Sequence, residues 1–272
     1  MPELPEVETI RYNLSHDSAN SKSLIGKTVQ NAVIIWTRSL IEPPAHEFEL
    51  RIIGQIINEI GRRGKYLVIR LTTDFLIFHL GMSGDLIVEA STAPIAKHHR
   101  LFLEFPGNHR LAFNDPRKFG RVWLVKNQLD ILASLGPEPL DPNFTTDDFH
   151  KIIVSHQRQL KPLLMDQKVL AGLGNIYTDE ALHLAHLHPL RHSHQLTRDE
   201  SGRLWKSIRL VLEEGILHNG SSIDWVFRGG DFQNKFRVYQ RTGEPCPDCN
   251  TPVIKITVGQ RGTHYCPVCQ PL

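Results

Sequence analysis

The sequence predicts an α+β chain of several domains: a β-rich N-terminal half of antiparallel sandwich or barrel type led by one helix, a helical half, and a terminal hairpin built on cysteines. Three observations carry this reading. From Gly26 to about Val125 short apolar runs alternate with turn residues, the rhythm of an antiparallel sheet. Gly136-Pro137-Glu138-Pro139-Leu140-Asp141-Pro142 is a proline-rich, acidic junction, and beyond it the apolar spacing turns helical. Cys246-x2-Cys249-x16-Cys266-x2-Cys269 gathers all 4 cysteines of the 272 residues into two knuckles, a strong zinc signal.

The first helix follows Met1-Pro2-Glu3. Pro5 fits a first helical position, Glu6 and Glu8 suit the positive end, and Val7, Ile10 and Leu14 fall on one stripe. If Met1 is trimmed, Pro2 becomes a secondary α-amine. An α-amine titrates near about 8 and a lysine near about 10.4, so far more of the terminus is free base at neutral pH. Condensed with an aldehyde, a secondary amine gives a cationic iminium, an electron sink that makes elimination beside the carbonyl feasible. An ordinary helix start explains the same residues, so the argument needs the rest of the chain.

Strands are expected at Thr28–Trp36, Ile52–Ile60, Tyr66–Leu71, Phe75–Leu80, Asp85–Glu89, Leu101–Phe105, Leu111–Asn114 and Val122–Val125. A short helix at Gln128–Leu135 precedes the junction. Helices are then expected at Asp147–Ser155, Lys161–Gln167, Ile176–Ala185 and Arg198–His218. Ala171-Gly172-Leu173-Gly174-Asn175 joins two of them, and a helix N-terminus there offers N–H groups to an anion. Domain boundaries fall at 2–135, a linker at 136–146, 147–237, and 238–272. In the last, Val253–Val258 and Gly262–Tyr265 read as a hairpin turning at Gly259-Gln260-Arg261.

Four cysteine ligands leave no open coordination position, so one structural Zn2+ is expected. Two disulfides are the alternative, but the chain shows no signal peptide or apolar span, and a reducing cytoplasm is the expected location. His183, His186, His188, His192 and His194 also invite a metal reading. Scattered helix and loop histidines without carboxylate or cysteine partners are read instead as structural or exposed. Composition excludes little: 40% hydrophobic residues and a net charge of +2 suit any soluble protein of this length. DNA binding needs local cation clusters, and Arg62-Arg63-Gly64-Lys65, Arg117-Lys118, Lys235-x-Arg237 and Arg261 are available. Taken singly, each reads as a solvated loop.

Together these blocks resemble the bacterial formamidopyrimidine-DNA glycosylases. The likeness rests on Pro2 to Thr9, Gly64-Lys65-Tyr66-Leu67, His79-Leu80-Gly81-Met82-Ser83-Gly84, Asp115-Pro116-Arg117-Lys118-Phe119-Gly120, Gly172-Leu173-Gly174-Asn175-Ile176-Tyr177 and Gln260-Arg261-Gly262-Thr263-His264-Tyr265-Cys266. It implies a β-sandwich catalytic domain, a helix-two-turn-helix DNA-binding domain and a zinc-finger hairpin. It further implies excision of oxidised purines from double-stranded DNA, followed by abasic-site lyase chemistry with β- and δ-elimination. Pro2, Glu3, Lys65 and Arg261 are the implied catalytic residues, Pro2 as nucleophile, Glu3 as proton donor, Lys65 and Arg261 as phosphate anchors. Asn175 and Lys161 are carried over as DNA contacts, and Met82, Arg117 and Phe119 as fillers of the gap left by an extruded nucleotide. Glu6 would stand near the amine and Glu180 in support of the N-terminus. A loop at 220–233 would close over the damaged base.

The pattern departs in two places. Residues 15–23 look longer and more polar than the usual connection after the first helix. Lys97-His98-His99-Arg100 stands where the family often shows Lys-His-x-His. A monomer is expected. Rival readings are an oxidised-pyrimidine glycosylase of the endonuclease VIII type, a non-catalytic DNA-damage binder on the same scaffold, and a zinc-ribbon interaction module. Leu4, Met82, Arg117 and Phe119 favour the purine branch over the first, and intact Pro2, Glu3 and Lys65 argue against the second. The third leaves most of the chain idle.

Overall fold

The computed structural model describes residues 1–17, 22–222 and 229–272. Two compact units emerge, the first built on residues 1–133, the second on 134–221 together with 230–272.

In the first unit, α1 (Leu4–Ser15) carries Pro5 in its opening turn, where a missing N–H costs nothing, and buries Leu4, Val7, Ile10 and Leu14. There follow β1 (Asn31–Ile34), β2 (Leu40–Glu42), α2 (Ala45–Ile52), β3 (Glu59–Arg63), β4 (Tyr66–Arg70) and β5 (Phe75–His79). Next come β6 (Asp85–Ala90), β7 (His99–Phe105), β8 (His109–Asn114), β9 (Arg121–Val125) and the short α3 (Leu129–Leu132). The strands form two sheets, ordered β1-β7-β8-β6 and β2-β9-β5-β4-β3. Leu67, Ile69, Leu76 and Phe78 of one sheet and Leu101, Leu103, Leu111 and Phe113 of the other share one core with Val7 and Ile10 of α1. This is a β-sandwich, the outcome alternation implied.

Two details differ from the expectation. The apolar run Ile52–Ile60 is no strand: α2 ends at Ile52 and β3 begins only at Glu59. The short β2 was unforeseen, and it pairs with β9 in parallel. Of the polar stretch 15–23, residues 18–21 lie outside the described residues.

In the second unit, α4 (Thr146–Val154), α5 (Leu160–Leu164), α6 (Asn175–Leu184) and α7 (Arg198–Leu217) precede the hairpin β10 (Ile254–Val258) and β11 (Arg261–Tyr265). Thr145 with Asp148, and Thr197 with Glu200, close capping boxes at α4 and α7. Leu204, Ile208, Val211 and Leu212 form the buried stripe of α7.

Residues 136–146, expected as a linker, belong to this packing. The Gly136 N–H donates to Gln167 O at 2.9 Å, Pro137 O accepts from the Ala171 N–H at 3.0 Å, and Arg209 Nη1 donates to Pro139 O at 2.6 Å. The helices and the hairpin lie within one compact unit.

Candidate active site and zinc centre

At the chain's start, Glu3 is 2% exposed and Glu6 is equally buried. Glu6 Oε2 accepts the Glu3 N–H at 2.8 Å, so this carboxylate caps the helix as well as standing near the terminus. Burial draws the Met1 amine below its ordinary value; Glu3 and Glu6 pull it back up, while Lys65 and Arg117 lower it. The net effect enlarges the free-base fraction of an amine held here.

Lys65 occupies the two-residue turn Gly64-Lys65 between β3 and β4, which pair Arg63 with Tyr66. Gly64 takes φ 56°, as the first central position of a type II′ hairpin turn requires. Lys65 is 4% exposed, with its charge felt by both the amine and His79. Burial, aided by Lys65 and Arg121, lowers His79 to about 4. Its Nδ1 accepts the Gly81 N–H at 3.3 Å, so the neutral ring carries its proton on Nε2. The sequence reading quoted His79 within a motif but gave it no role.

Met82 and the pair Arg117 and Phe119 lie on adjoining loops, and buried Asp115 holds the loops together. Its Oδ1 accepts from Ser83 Oγ at 2.6 Å and from the Arg117 N–H at 3.2 Å; its Oδ2 accepts from the Gly120 N–H at 2.7 Å. A Cβ on Gly81 would lie 2.6 Å from the Phe119 carbonyl carbon, so this approach needs glycine. Arg117 stacks 5.0 Å from the centre of the Phe119 ring, which is 48% exposed. An exposed apolar ring on a braced loop suits insertion into a base stack. The sequence missed Asp115 as the brace. Arg100, at the position departing from the Lys-His-x-His pattern, is buried and donates to Asp115 O at 2.7 Å.

The second unit holds the remaining residues. Arg261 is exposed and opens β11 paired with Val258, rather than sitting in the turn as expected; Gly259 and Gln260 form the turn, at φ 55° and 62°. Asn175 opens α6, with Nδ2 donating to Gly262 O at 3.1 Å and to the Tyr239 hydroxyl at 3.4 Å.

Two expectations need correction. Lys161 is not placed for a surface phosphate: it is 0% exposed, with Nζ 2.5 Å from Asp179 Oδ1 and 3.1 Å from Gly262 O. Glu180 does not reserve its carboxylate for the N-terminus. Its two oxygens accept the N–H groups of Arg237, Val238 and Tyr239 at 2.7, 3.0 and 2.7 Å, bonds that only partly offset the burial that raises its pKa. Both residues fix the polypeptide around the candidate phosphate ligands. Of the loop expected at 220–233 as a lid, residues 223–228 lie outside the described residues.

Comparison with known proteins agrees with this division of parts. Residues 1–122 match the formamidopyrimidine-DNA glycosylase N-terminal domain, 135–226 its H2TH domain, and 243–272 the zinc finger found in FPG and IleRS. A formamidopyrimidine-DNA glycosylase of Latilactobacillus sakei is 42% identical, aligned over 99% of this chain and 98% of its own. One of Chloroflexus aggregans is 42% identical over 100% and 99%.

The chain belongs to the formamidopyrimidine-DNA glycosylase family.

Solved structures agree. MutM in complex with DNA containing carbocyclic 8-oxo-G is 36% identical at TM-score 0.91, and the Lactococcus lactis Fpg (MutM) complex with N7-benzyl-Fapy-dG DNA is 35% identical at 0.92. Both cover 100% of each chain.

The glycosylase zinc finger is recognisable in the thiols themselves. The four sulfurs lie within 4.8 Å of one another, Cys246 to Cys269 at 3.9 Å and Cys249 to Cys266 at 3.4 Å. Four sulfurs about 2.3 Å from one tetrahedral zinc stand about 3.8 Å apart. The residues fit one structural Zn2+. Beneath them Val238 and Val253 make only a small apolar cluster with Cys246 and Cys266, a core too slight to hold the hairpin unaided. Among the described residues, no helix is long and apolar enough to cross a membrane.

Proposed function

We propose that this chain excises oxidised purines, 8-oxoguanine and formamidopyrimidines, from duplex DNA and cleaves the resulting abasic site. The observation that carries the mechanism is the placement of buried Pro2 beside the buried Glu3 carboxylate at the start of the first helix. With Met1 removed, Pro2 nitrogen attacks the anomeric carbon. The bond to the base breaks, and the base leaves with a proton. Glu3 protonates the ring oxygen, the sugar opens, and an iminium joins it to Pro2. Loss of a C2′ proton expels the 3′ phosphate, a second elimination expels the 5′ phosphate, and water releases the amine.

Lys65 and Arg261 grip backbone phosphates. Asn175, at the helix N-terminus, adds a third anion contact. Arg117 faces the orphaned partner base while Met82 and Phe119 fill the stack. The C-terminal zinc contributes hairpin rigidity alone, because all four of its positions are taken by sulfur. Such an enzyme works in the cytoplasm, where bacterial DNA lies.

Borohydride reduction on a duplex carrying 8-oxoguanine opposite cytosine tests this reading. A covalent adduct mapped by peptide mass to Pro2, with doubly cut product, is expected, and Pro2→Gly should weaken or redirect the cross-link. An adduct elsewhere, or none despite tight binding and confirmed Met1 removal, sinks the assignment. A better yield on an oxidised pyrimidine would move the chain to the endonuclease VIII type. Separately, Arg261→Ala should lower affinity for the damaged duplex by about 10–100-fold and reduce the salt slope of log K by about one. Anisotropy titrations across salt check both, and an unchanged slope removes Arg261 from the phosphate ligands.

A further inference from the structure

Helix α6 turns residues 175, 179 and 183 to one face, four apart. Each meets the zinc hairpin or its knuckle. Asn175 donates to Gly262 O, Asp179 Oδ2 accepts the His264 N–H at 2.8 Å, and His183 sets Nε2 3.3 Å from Cys246 Sγ. Base excision leaves the third contact unexplained.

His183 is 0% exposed, and its Nδ1 is buried with no hydrogen-bond partner among the described residues. A neutral imidazole has a single N–H. With no partner for Nδ1 among the described residues and a sulfur acceptor beside Nε2, the proton belongs on Nε2. Asp248 Oδ2 lies 3.8 Å from Nε2, beyond hydrogen-bond range, while Asp248 Oδ1 pairs with Arg237 Nη1 at 3.3 Å. Four thiolates on one dication leave a net negative cluster, and buried sulfur charge gains from an N–H donor.

We propose that His183 is a positioning residue that donates an N–H···S hydrogen bond to the zinc-bound thiolate of Cys246. By drawing electron density from that sulfur it slows attack on the thiolate by electrophiles, and hence zinc loss. The proposal rests on the structural-zinc reading. His183, Cys246, Asp248 and Cys269 also place their ligand atoms within 4.8 Å of one another, so direct ligation or a second ion is the competing arrangement. Asp248's pairing with Arg237 and the completed four-sulfur set favour the hydrogen bond.

The test uses the full chain as wild type, His183→Gln and His183→Met. Glutamine keeps an N–H donor on a similar reach, methionine matches its length without one, and His183→Phe serves if the methionine variant does not fold. Metal content tests the underlying reading first: one zinc per chain. In the cobalt-substituted protein, the sulfur-to-metal charge-transfer band should move to lower energy in His183→Met and stay near wild type in His183→Gln. The d–d bands should show four sulfurs throughout. Zinc release under excess alkylating reagent, followed with a chromogenic chelator, should quicken about 2–10-fold without the donor and recover with glutamine. Equal bands and equal release rates in all variants overturn the proposal. So does a nitrogen-ligand spectrum in wild type that disappears in His183→Met, or two metal ions per chain.

Discussion

Glu3→Gln is expected to lower base excision by about 10²–10⁴-fold, roughly 3–5 kcal/mol of barrier, while affinity for the damaged duplex changes little. Glutamine preserves the side chain's shape at the start of α1 and can still accept an N–H there. Only the transferable proton is lost. A second effect runs the opposite way. The Glu3 carboxylate is the strongest of the charges that raise the Met1 amine, and a Pro2 amine would adjoin the same carboxylate, so its removal should lower that amine too. The group is a depressed amine whose free base appears above its pKa; lowering the pKa extends the nucleophilic form to more acidic conditions. Borohydride trapping on a preformed abasic aldehyde should therefore begin at lower pH in Glu3→Gln than in wild type. Single-turnover excision and pH-resolved trapping measure the two separately. Excision at wild-type rate would remove Glu3 from proton transfer, and a trapping profile that stays put would show its charge is not felt by the nucleophile.

How legible this site was in the sequence depended on whether function was written locally. Pro2 and Glu3 stood out as candidates because covalent amine chemistry needs a terminal nitrogen and a neighbouring carboxylate, but an ordinary helix start explains the same residues and only the resemblance along the whole chain assigned their roles. The cysteine spacing could be read because zinc geometry demands it, and the sandwich because period-two alternation follows from strand geometry. Misreadings arose where a residue's partner is distant. Ile52-Ile53-Gly54-Gln55-Ile56-Ile57 resembles a β-branched strand, yet Ile52 closes a helix whose buried face is only Phe48 and Ile52. Lys161 and Glu180 have the charges of a phosphate contact and an amine partner. Charge alone does not distinguish a DNA phosphate from an aspartate eighteen residues along, nor a terminal amine from three backbone N–H groups. The 175/179/183 spacing was present in the sequence, but what it faces is set by the hairpin's return in the last thirty residues.

Lys161→Met is expected to be among the most destabilising single substitutions in the second unit, at about 3–5 kcal/mol. Both members of the Lys161–Asp179 pair are fully buried, 0% exposed at each side chain. Removing the ammonium leaves the Asp179 carboxylate in a low-dielectric site facing the His264 N–H and ring nitrogen, at 2.8 and 3.3 Å. It also frees Gly262 O, next to Arg261, from the Lys161 donor and leaves it that of Asn175. Loss of stability and loss of the Arg261 placement should thus appear together, as a melting temperature lowered by about 6–20 °C and weaker DNA binding. Lys161→Met/Asp179→Asn tests the cause. The amide still accepts the His264 N–H but carries no charge, so most of the lost stability should return. If the double variant melts as low as the single, the cost lies in packing rather than in a stranded charge. If Lys161→Met melts normally yet binds DNA more weakly with a shallower salt slope, the lysine reaches phosphate after all, and the buried pair is not its working state.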